Sequence, residues 1–345
     1  MLQVQKVNKQ NKKGHFITES LLKSSQRAGK IAIVGFQVSD EFHFYHQDTK
    51  APRRNAGTLK MVGKPFCLLG VFGVLVVIIV SHMRRYFEIY QMLLRNSLIR
   101  EMNFKANFLL WMAVELLWFI GQIFFIEVLF NYVDKIGDWT KWQVILLVGT
   151  HQIVGQLFQA FFYTNLANLP ELVRTGKLDF LLLQPVDSQF IVSTNRFGAD
   201  SVINSFVGVA IVIFSLVKLG IQPSLWQIFA YAFAVLLGIG IHYSIMFSLA
   251  TVSFWIVRAQ GVIHGYYNLF NIARYPDVVF KGPFRAIFSY LIPVIIVANT
   301  PARVLMNLDS TPWLFAQLAI ASCTVLILSR LFWKTALRRY SSASS

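Results

Sequence analysis

Apolar segments of about 20 residues recur along this chain, and a helix of that length crosses a bilayer core of roughly 30 Å. They lie at about 107–131, 142–166, 202–219, 225–252 and 313–332, with a less apolar, aromatic-rich stretch at 259–275. The runs are continuous and do not alternate, which argues for helices and against a transmembrane barrel. In hydrocarbon a helix satisfies its own backbone hydrogen bonds, so each run is expected to be helical. Composition agrees: 55% of the 345 residues are hydrophobic and 14% are charged, against roughly 25% charged in soluble domains. The expected fold is an all-α, polytopic helical membrane protein with six transmembrane helices.

The net charge is +16. The basic residues bracket the apolar runs, so they read as orienting charges against anionic membrane lipid and not as a nucleic-acid surface. By the positive-inside rule both ends of the six-span body face the cytoplasm. Arg274, Lys281, Arg285 and Arg303 fit that scheme poorly, because they fall on the outer side or in the broken region before the last span. The two cysteines, Cys67 and Cys323, sit in apolar context and give neither a disulfide framework nor a metal pattern.

Residues 1–60 carry eleven Lys/Arg against four acids, a net of +7, with no sustained period. Residues 65–80 form an apolar run that reads as an extra span or an uncleaved signal-anchor. A third reading starts the protein at Met83 and makes 1–82 a mis-assigned extension to a body at 83–340. Residues 84–105 place Arg84, Arg85, Arg95, Arg100 and Lys105 among Tyr86, Phe87, Ile89, Met92, Leu93 and Leu98. This pattern suits an amphipathic helix lying along the membrane surface.

Polar side chains inside the spans are costly and must face protein or a wet cavity. In span one Glu115 and Gln122, seven residues apart, share a face. In span two His151, Gly155 and Gln159 recur every four residues and make one polar, small-residue stripe. Glu115, Gln122, His151 and Gln159 are therefore candidates for a translocation path or for helix packing, with His151 also readable as a proton carrier. Gly208, Gly238 and Gly240 allow close helix contacts. Pro283, Pro293 and Pro301 argue against a straight span there and for re-entrant or interfacial helices before span six. Asp309, Ser310, Thr311 and Pro312 read as the start of span six.

Between spans two and three lies NLPELVRTGKLDFLLLQPVDSQ, residues 168–189. Pro170 is suited to the first turn of a new short helix, and Glu171 to its N-terminus. Gly176 ends that helix, an apolar elbow follows at 180–183, and Pro185 stops it. Arg196 and Asp200 are spaced for a local ion pair. Glu171, Arg174, Lys177 and Asp179 are the candidate contacts of this insert.

The sequence holds no GxxxxGK[ST] phosphate loop, HExxH zinc motif, GxSxG elbow or Gly-rich dinucleotide fingerprint. No catalytic residue, cofactor site or metal site is expected, and the chain does not read as an enzyme.

The segments GTHQIV (149–154), NLPELVRTGKLDFLLLQPVDSQF (168–190), FWIVRAQG (254–261) and IPVIIVANTPARVL (292–305) together resemble permease subunits of bacterial type-2, exporter-like ABC transporters. The resemblance covers about 83–340. It implies a multi-pass protein of the bacterial cytoplasmic (inner) membrane with a cytoplasmic C-terminus. It implies a coupling helix at about Pro170 to Pro185, whose Glu171, Arg174, Lys177 and Asp179 contact a separate ATP-binding subunit. ATP and Mg would be held by that partner. It further implies a second permease, identical or a sister protein, and an exported substrate; apolar and aromatic lining hints at an amphipathic or lipid-like one. An ion-coupled secondary transporter using Glu115 and His151, and a scaffold without substrate, are the rival readings.

Overall fold

The structure, a computed structural model, describes residues 84–100, 105–256, 259–307 and 312–340. The extension at 1–82, its apolar run at 65–80, Met83, Arg258 and Asp309 to Thr311 lie outside the described residues.

The described residues are helical almost throughout. Helix α1 covers residues 84–100 and α2 covers Lys105–Leu129. A two-stranded hairpin, β1 (Lys135–Ile136) and β2 (Trp139–Thr140), leads into α3 (Lys141–Phe158). A π-helical turn, Gln159–Tyr163, joins α3 to α4 (Thr164–Arg174). Two short helices follow, α5 (Leu178–Leu182) and α6 (Ser188–Thr194). Then come α7 (Ala199–Leu219), α8 (Leu225–Thr251) and α9 (Gln260–Phe270). Helix α10 (Gly282–Ala286), α11 (Ile295–Met306) and α12 (Pro312–Leu337) complete the chain.

Five stretches of helix are long and apolar enough to cross a membrane: Phe108–Leu129, Lys141–Arg174, Ala199–Leu219, Leu225–Phe254 and Trp313–Leu337. The protein is thus an all-α, multi-pass membrane protein. A sixth crossing arises if Gly282–Leu291 and Ile295–Met306, bent by 85°, count as one. The sharp bend falls in the proline-broken segment, where a straight span was not expected, and fits either a broken span or a re-entrant pair. The stretch at 259–275, expected as a short or broken span, is both short and broken. Helix α9 has 11 residues, about 16 Å at 1.5 Å per residue, and breaks into 3-10 turns at Asn271–Arg274 and Asp277–Val279.

The insert also differs from expectation. Pro170 does not open a new helix; it sits inside α4. The helical run from Lys141 continues to Arg174, 34 residues in all. At 1.5 Å per residue that is about 51 Å, well beyond a 30 Å core. The helix is thus longer than its apolar part needs, and the short helix that follows its last turn is α5.

Helix α3 is the centre of the body. Leu146, Leu147, Val154 and Phe158 are fully buried there, and 72% of its apolar window is covered against 11% for α2. Small residues set the approach of its neighbours. A Cβ on Gly208 of α7 would stand 3.0 Å from the Gly149 carbonyl oxygen and 2.9 Å from Ile153 Cγ1. A Cβ on Gly238 of α8 would stand 2.8 Å from the Val297 carbonyl oxygen of α11. The contacts with the Gly149 and Val297 carbonyls are backbone against backbone, as the glycine-lined faces suggested.

At the end opposite the insert, the broken backbone of 271–299 is tied to one buried amide. Asn299 Oδ1 accepts from the Asp277 amide at 3.0 Å. Its Nδ2 donates to the carbonyls of Ile295 (3.0 Å), Tyr275 (3.1 Å) and Ala273 (3.4 Å). Asp277 receives Arg303 at 2.7 Å and Arg285 at 3.3 Å, and Arg303 lies over the Trp139 ring at 5.2 Å. Two of the four basic residues that strained the charge pattern therefore share the one carboxylate of Asp277. The expected Arg196–Asp200 pair does not form among the described residues.

Replacing Gly208 with Val should destabilise the body by about 1–3 kcal/mol, the usual range for overpacking. The midpoint of thermal unfolding in detergent should fall accordingly. Gly121→Ala is the control, since nothing lies within 4 Å of a Cβ there, and it should leave the midpoint unchanged or slightly raised.

Candidate functional site

Two places combine the candidate residues: a polar cavity within the body, and the elbow at the insert.

The cavity has a volume of about 320 Å³ and is lined by Glu115 and Gln122 of α2, by His151, Gln152 and Gln156 of α3, and by Tyr267 and Asn268 of α9. Helical spacing explains the convergence. Glu115 and Gln122 are two turns apart on one face, and His151, Gly155 and Gln159 are one turn apart on another. Glu115 and His151 each have a neutral partner. Glu115 Oε2 accepts from Gln156 Nε2 at 3.1 Å. His151 Nε2 lies 3.3 Å from the Phe270 carbonyl, which can only accept, so that nitrogen carries the hydrogen. Its ring stacks on Phe270 at 4.8 Å, and His242 stacks on Phe270 at 3.8 Å. In the amide orientation its donors require, the Gln122 oxygen accepts from Trp118 Nε1 (2.8 Å) and Arg274 Nη1 (3.2 Å). Gln159 does not line the cavity, but its Oε1 accepts from the Tyr267 hydroxyl at 2.8 Å. Three of the four candidate path residues therefore share one cavity, and the fourth holds one of its walls. Among the described residues no group of His, Cys, Asp and Glu is arranged to hold a metal ion.

The π turn at Gln159–Tyr163 lies between cavity and elbow. The carbonyl of Ala160 in that turn accepts from the Gly198 amide at 2.9 Å. One turn on, buried Asn165 grips Arg196 both ways: Nδ2 donates to its carbonyl and Oδ1 accepts from its amide, each at 2.8 Å. The chain returning from the insert is thereby fixed to the long helix.

At the elbow the four predicted residues separate in role. Glu171 and Arg174 form a two-point ion pair on the last turn of α4, Nη2–Oε1 2.7 Å and Nε–Oε2 2.9 Å. They satisfy each other. Lys177 is exposed just ahead of α5, and Asp179 lies in its first turn, where the helix dipole favours a carboxylate. Apolar residues of the same run stand beside the charged ones. Leu178 is fully buried, yet Phe180 is 70% exposed and Leu183 80% exposed. Three residues apart, the latter two stand together. A one-turn helix cannot bury every member of an LDFLLL run.

The base of the elbow is held from three directions. From α1, Arg85 Nη2 donates to the Pro185 carbonyl at 3.0 Å, the Tyr86 hydroxyl accepts from the Asp187 amide at 3.1 Å, and the Tyr86 ring meets Phe190 edge-on at 5.1 Å. From α8, the Tyr243 hydroxyl bonds Gln189 (3.0 Å) and Ser193 (2.8 Å). From α12, Trp333 Nε1 donates to Ser188 Oγ at 3.0 Å. Arg330 Nη1 donates to Asp187 Oδ1 (2.9 Å) and Gln189 Oε1 (3.0 Å), while Nη2 meets Asp187 Oδ2. Asp187 also caps α6 by accepting from the Phe190 amide at 3.0 Å. Partial burial pushes the Asp187 carboxyl up. The hydrogen bond from Arg330, the Phe190 amide and the guanidinium charge together outweigh it and hold the group below its ordinary value.

A family model described as "ABC-2 family transporter protein" matches residues 116–344. No curated protein matches the chain.

Because Asp187 is held low, the stability it contributes is fully present above its ordinary value of 3.8 and is lost as pH falls through its lower folded value. Asp187→Asn should remove that part of the acid-induced loss of stability, read as a flatter unfolding midpoint against pH. Arg330→Met should cost about 1–2 kcal/mol at neutral pH, since hydrogen bonds to charged groups are worth roughly 1.5–3 kcal/mol and partial exposure screens this pair.

Proposed function

The chain belongs to the ABC-2 transporter family as a membrane component, and from that premise we propose that it is the permease of an ATP-driven exporter. In this reading it spans the bacterial cytoplasmic membrane with the elbow and C-terminus on the cytoplasmic side. It pairs with a second permease, identical or a sister, and meets a separate ATP-binding subunit that holds ATP and Mg. The polar cavity between α2, α3 and α9 forms part of the path.

The observation that carries the reading is the elbow. A helix about 20 Å longer than the apolar layer ends in a tip bearing two exposed apolar side chains, Phe180 and Leu183, beside exposed Lys177. Large apolar residues at the wet tip of a membrane protein call for a protein partner. The firm hold of α1, α8 and α12 on the base of the elbow supports transmission of force from that partner to the spans. The same contact carries coupling in place of the Glu171–Arg174 pair, which is internally satisfied.

The test is ATP hydrolysis by the ATP-binding subunit in liposomes, with and without this protein. Phe180→Asp and Leu183→Asp should each lower the permease-dependent rate about tenfold or more, the weight of a buried apolar anchor at an interface. Exchanging Glu171 and Arg174 should change it little. If hydrolysis is indifferent to the permease and the two do not co-purify, the proposal fails. The convergence of Glu115 and His151 on one cavity favours an ion-coupled carrier as second reading. There Glu115→Gln would abolish transport while the elbow variants would be silent.

A further inference from the structure

Beside the polar cavity lies a larger, apolar one of about 540 Å³. Val114, Trp118 and Gln122 line both and form the wall between them. The larger cavity is bounded by Leu117, Gly121 and Phe125 of α2, by Val148 of α3 and by the turn at 274–279. Its one charged lining residue is Arg274. Leu117, Trp118 and Phe125 are 71%, 65% and 56% exposed, so the cavity opens sideways from the body.

Arg274 differs from Arg285, Arg303 and Arg330. Arg285 and Arg303 share Asp277, and Arg330 holds Asp187. Arg274 has only neutral neighbours: the Gln122 amide oxygen at 3.2 Å and the Tyr275 ring at 5.3 Å. Among the described residues no carboxylate pairs with it. A half-buried cation beside hydrocarbon is costly without a counter-charge. A guanidinium fork is suited to a phosphate or carboxylate. We propose that this cavity binds an amphiphile with an anionic head and one apolar body, the head against Arg274 and the body along Leu117, Gly121 and Phe125. The volume falls within the roughly 300–1,000 Å³ typical of small-ligand sites. Entry is lateral, across the exposed side chains of α2. That the bound amphiphile is cargo rests on the permease reading; the binding itself does not.

The experiment is native mass spectrometry of the purified full chain, with oleoyl-lysophosphatidylglycerol and oleoyl-lysophosphatidylcholine in competition. The expected result is about a tenfold preference for the anionic lipid, as a charge-assisted hydrogen bond supplies. Arg274→Gln should abolish the preference, and Arg274→Lys should retain part of it. Gly121→Phe should lower retention of both lipids, because its new ring enters the cavity, and the open space at Gly121 leaves the fold intact. Equal retention of the two lipids by the unaltered protein overturns the proposal. So does a preference that survives Arg274→Gln, including the case where that variant shifts only the dimer population, which would place the counter-charge on a second copy. Neither result touches the elbow, so the permease reading stands or falls separately. Stimulation of the partner's ATP hydrolysis by the anionic lipid identifies it as cargo; binding without stimulation identifies a resident lipid in the same site.

Discussion

The helix from Lys141 to Arg174 is longer than the membrane is thick, and most of the structure depends on that excess. One end packs against α7 through Gly149 and Gly208, where no Cβ fits without movement. Its middle supplies His151 and Gln156 to the polar cavity. Its far end bears Glu171 and Arg174 and leads to α5. The cavity and the last turn before the elbow are thus parts of one helical rod, and only the turn at 175–177, with Gly176 at φ 69°, separates α5 from it. The π turn at Gln159–Tyr163 and Pro170 are irregularities on the way. Such turns gather at functional sites because they re-aim side chains, and here the freed geometry is secured by the Gly198 amide and the Asn165 clamp.

A second constraint governs the other end. Within an apolar layer every backbone polar group needs a partner. The proline-rich region cannot meet that demand by continuous helix, so it bends by 85° and borrows the Asn299 side chain for four backbone bonds. Asp277 then serves as the shared partner of two arginines, Arg285 and Arg303. Breaking the helix makes room for a cavity, and the amide and carboxylate keep the break from unravelling.

The sequence made the architecture legible wherever a single physical rule governs. Length and apolarity marked the spans. Spacing by turns placed Glu115 with Gln122 and aligned His151 with Gln159. Glycines marked the close crossings. What it did not yield depends on contacts between distant segments. Pro170 reads locally as a helix start, but packing of Leu166 and Leu169, both fully buried, holds the helix through it. Charged residues drew attention at the insert, although the pair Glu171–Arg174 closes on itself. Asn299, Asp187 and Arg330 carry no local signature; their importance arises from partners between 22 and 143 residues away.

The distribution of charge partners also bears on how the cavities differ. Glu115 and His151 are each held by a neutral group of the chain, an amide and a carbonyl, and neither pairs with the other. A relay would need a proton to pass between groups in hydrogen-bond reach. These two instead present a polar lining on one side of the wall formed by Val114, Trp118 and Gln122. On the other side the lining is apolar save for Arg274. Gln122, whose oxygen serves both Trp118 and Arg274, is the element common to both. The wall therefore separates a compartment suited to polar groups from one suited to hydrocarbon, with the unpaired cation at its edge. That asymmetry matches the chemistry of an amphiphile better than that of an ion.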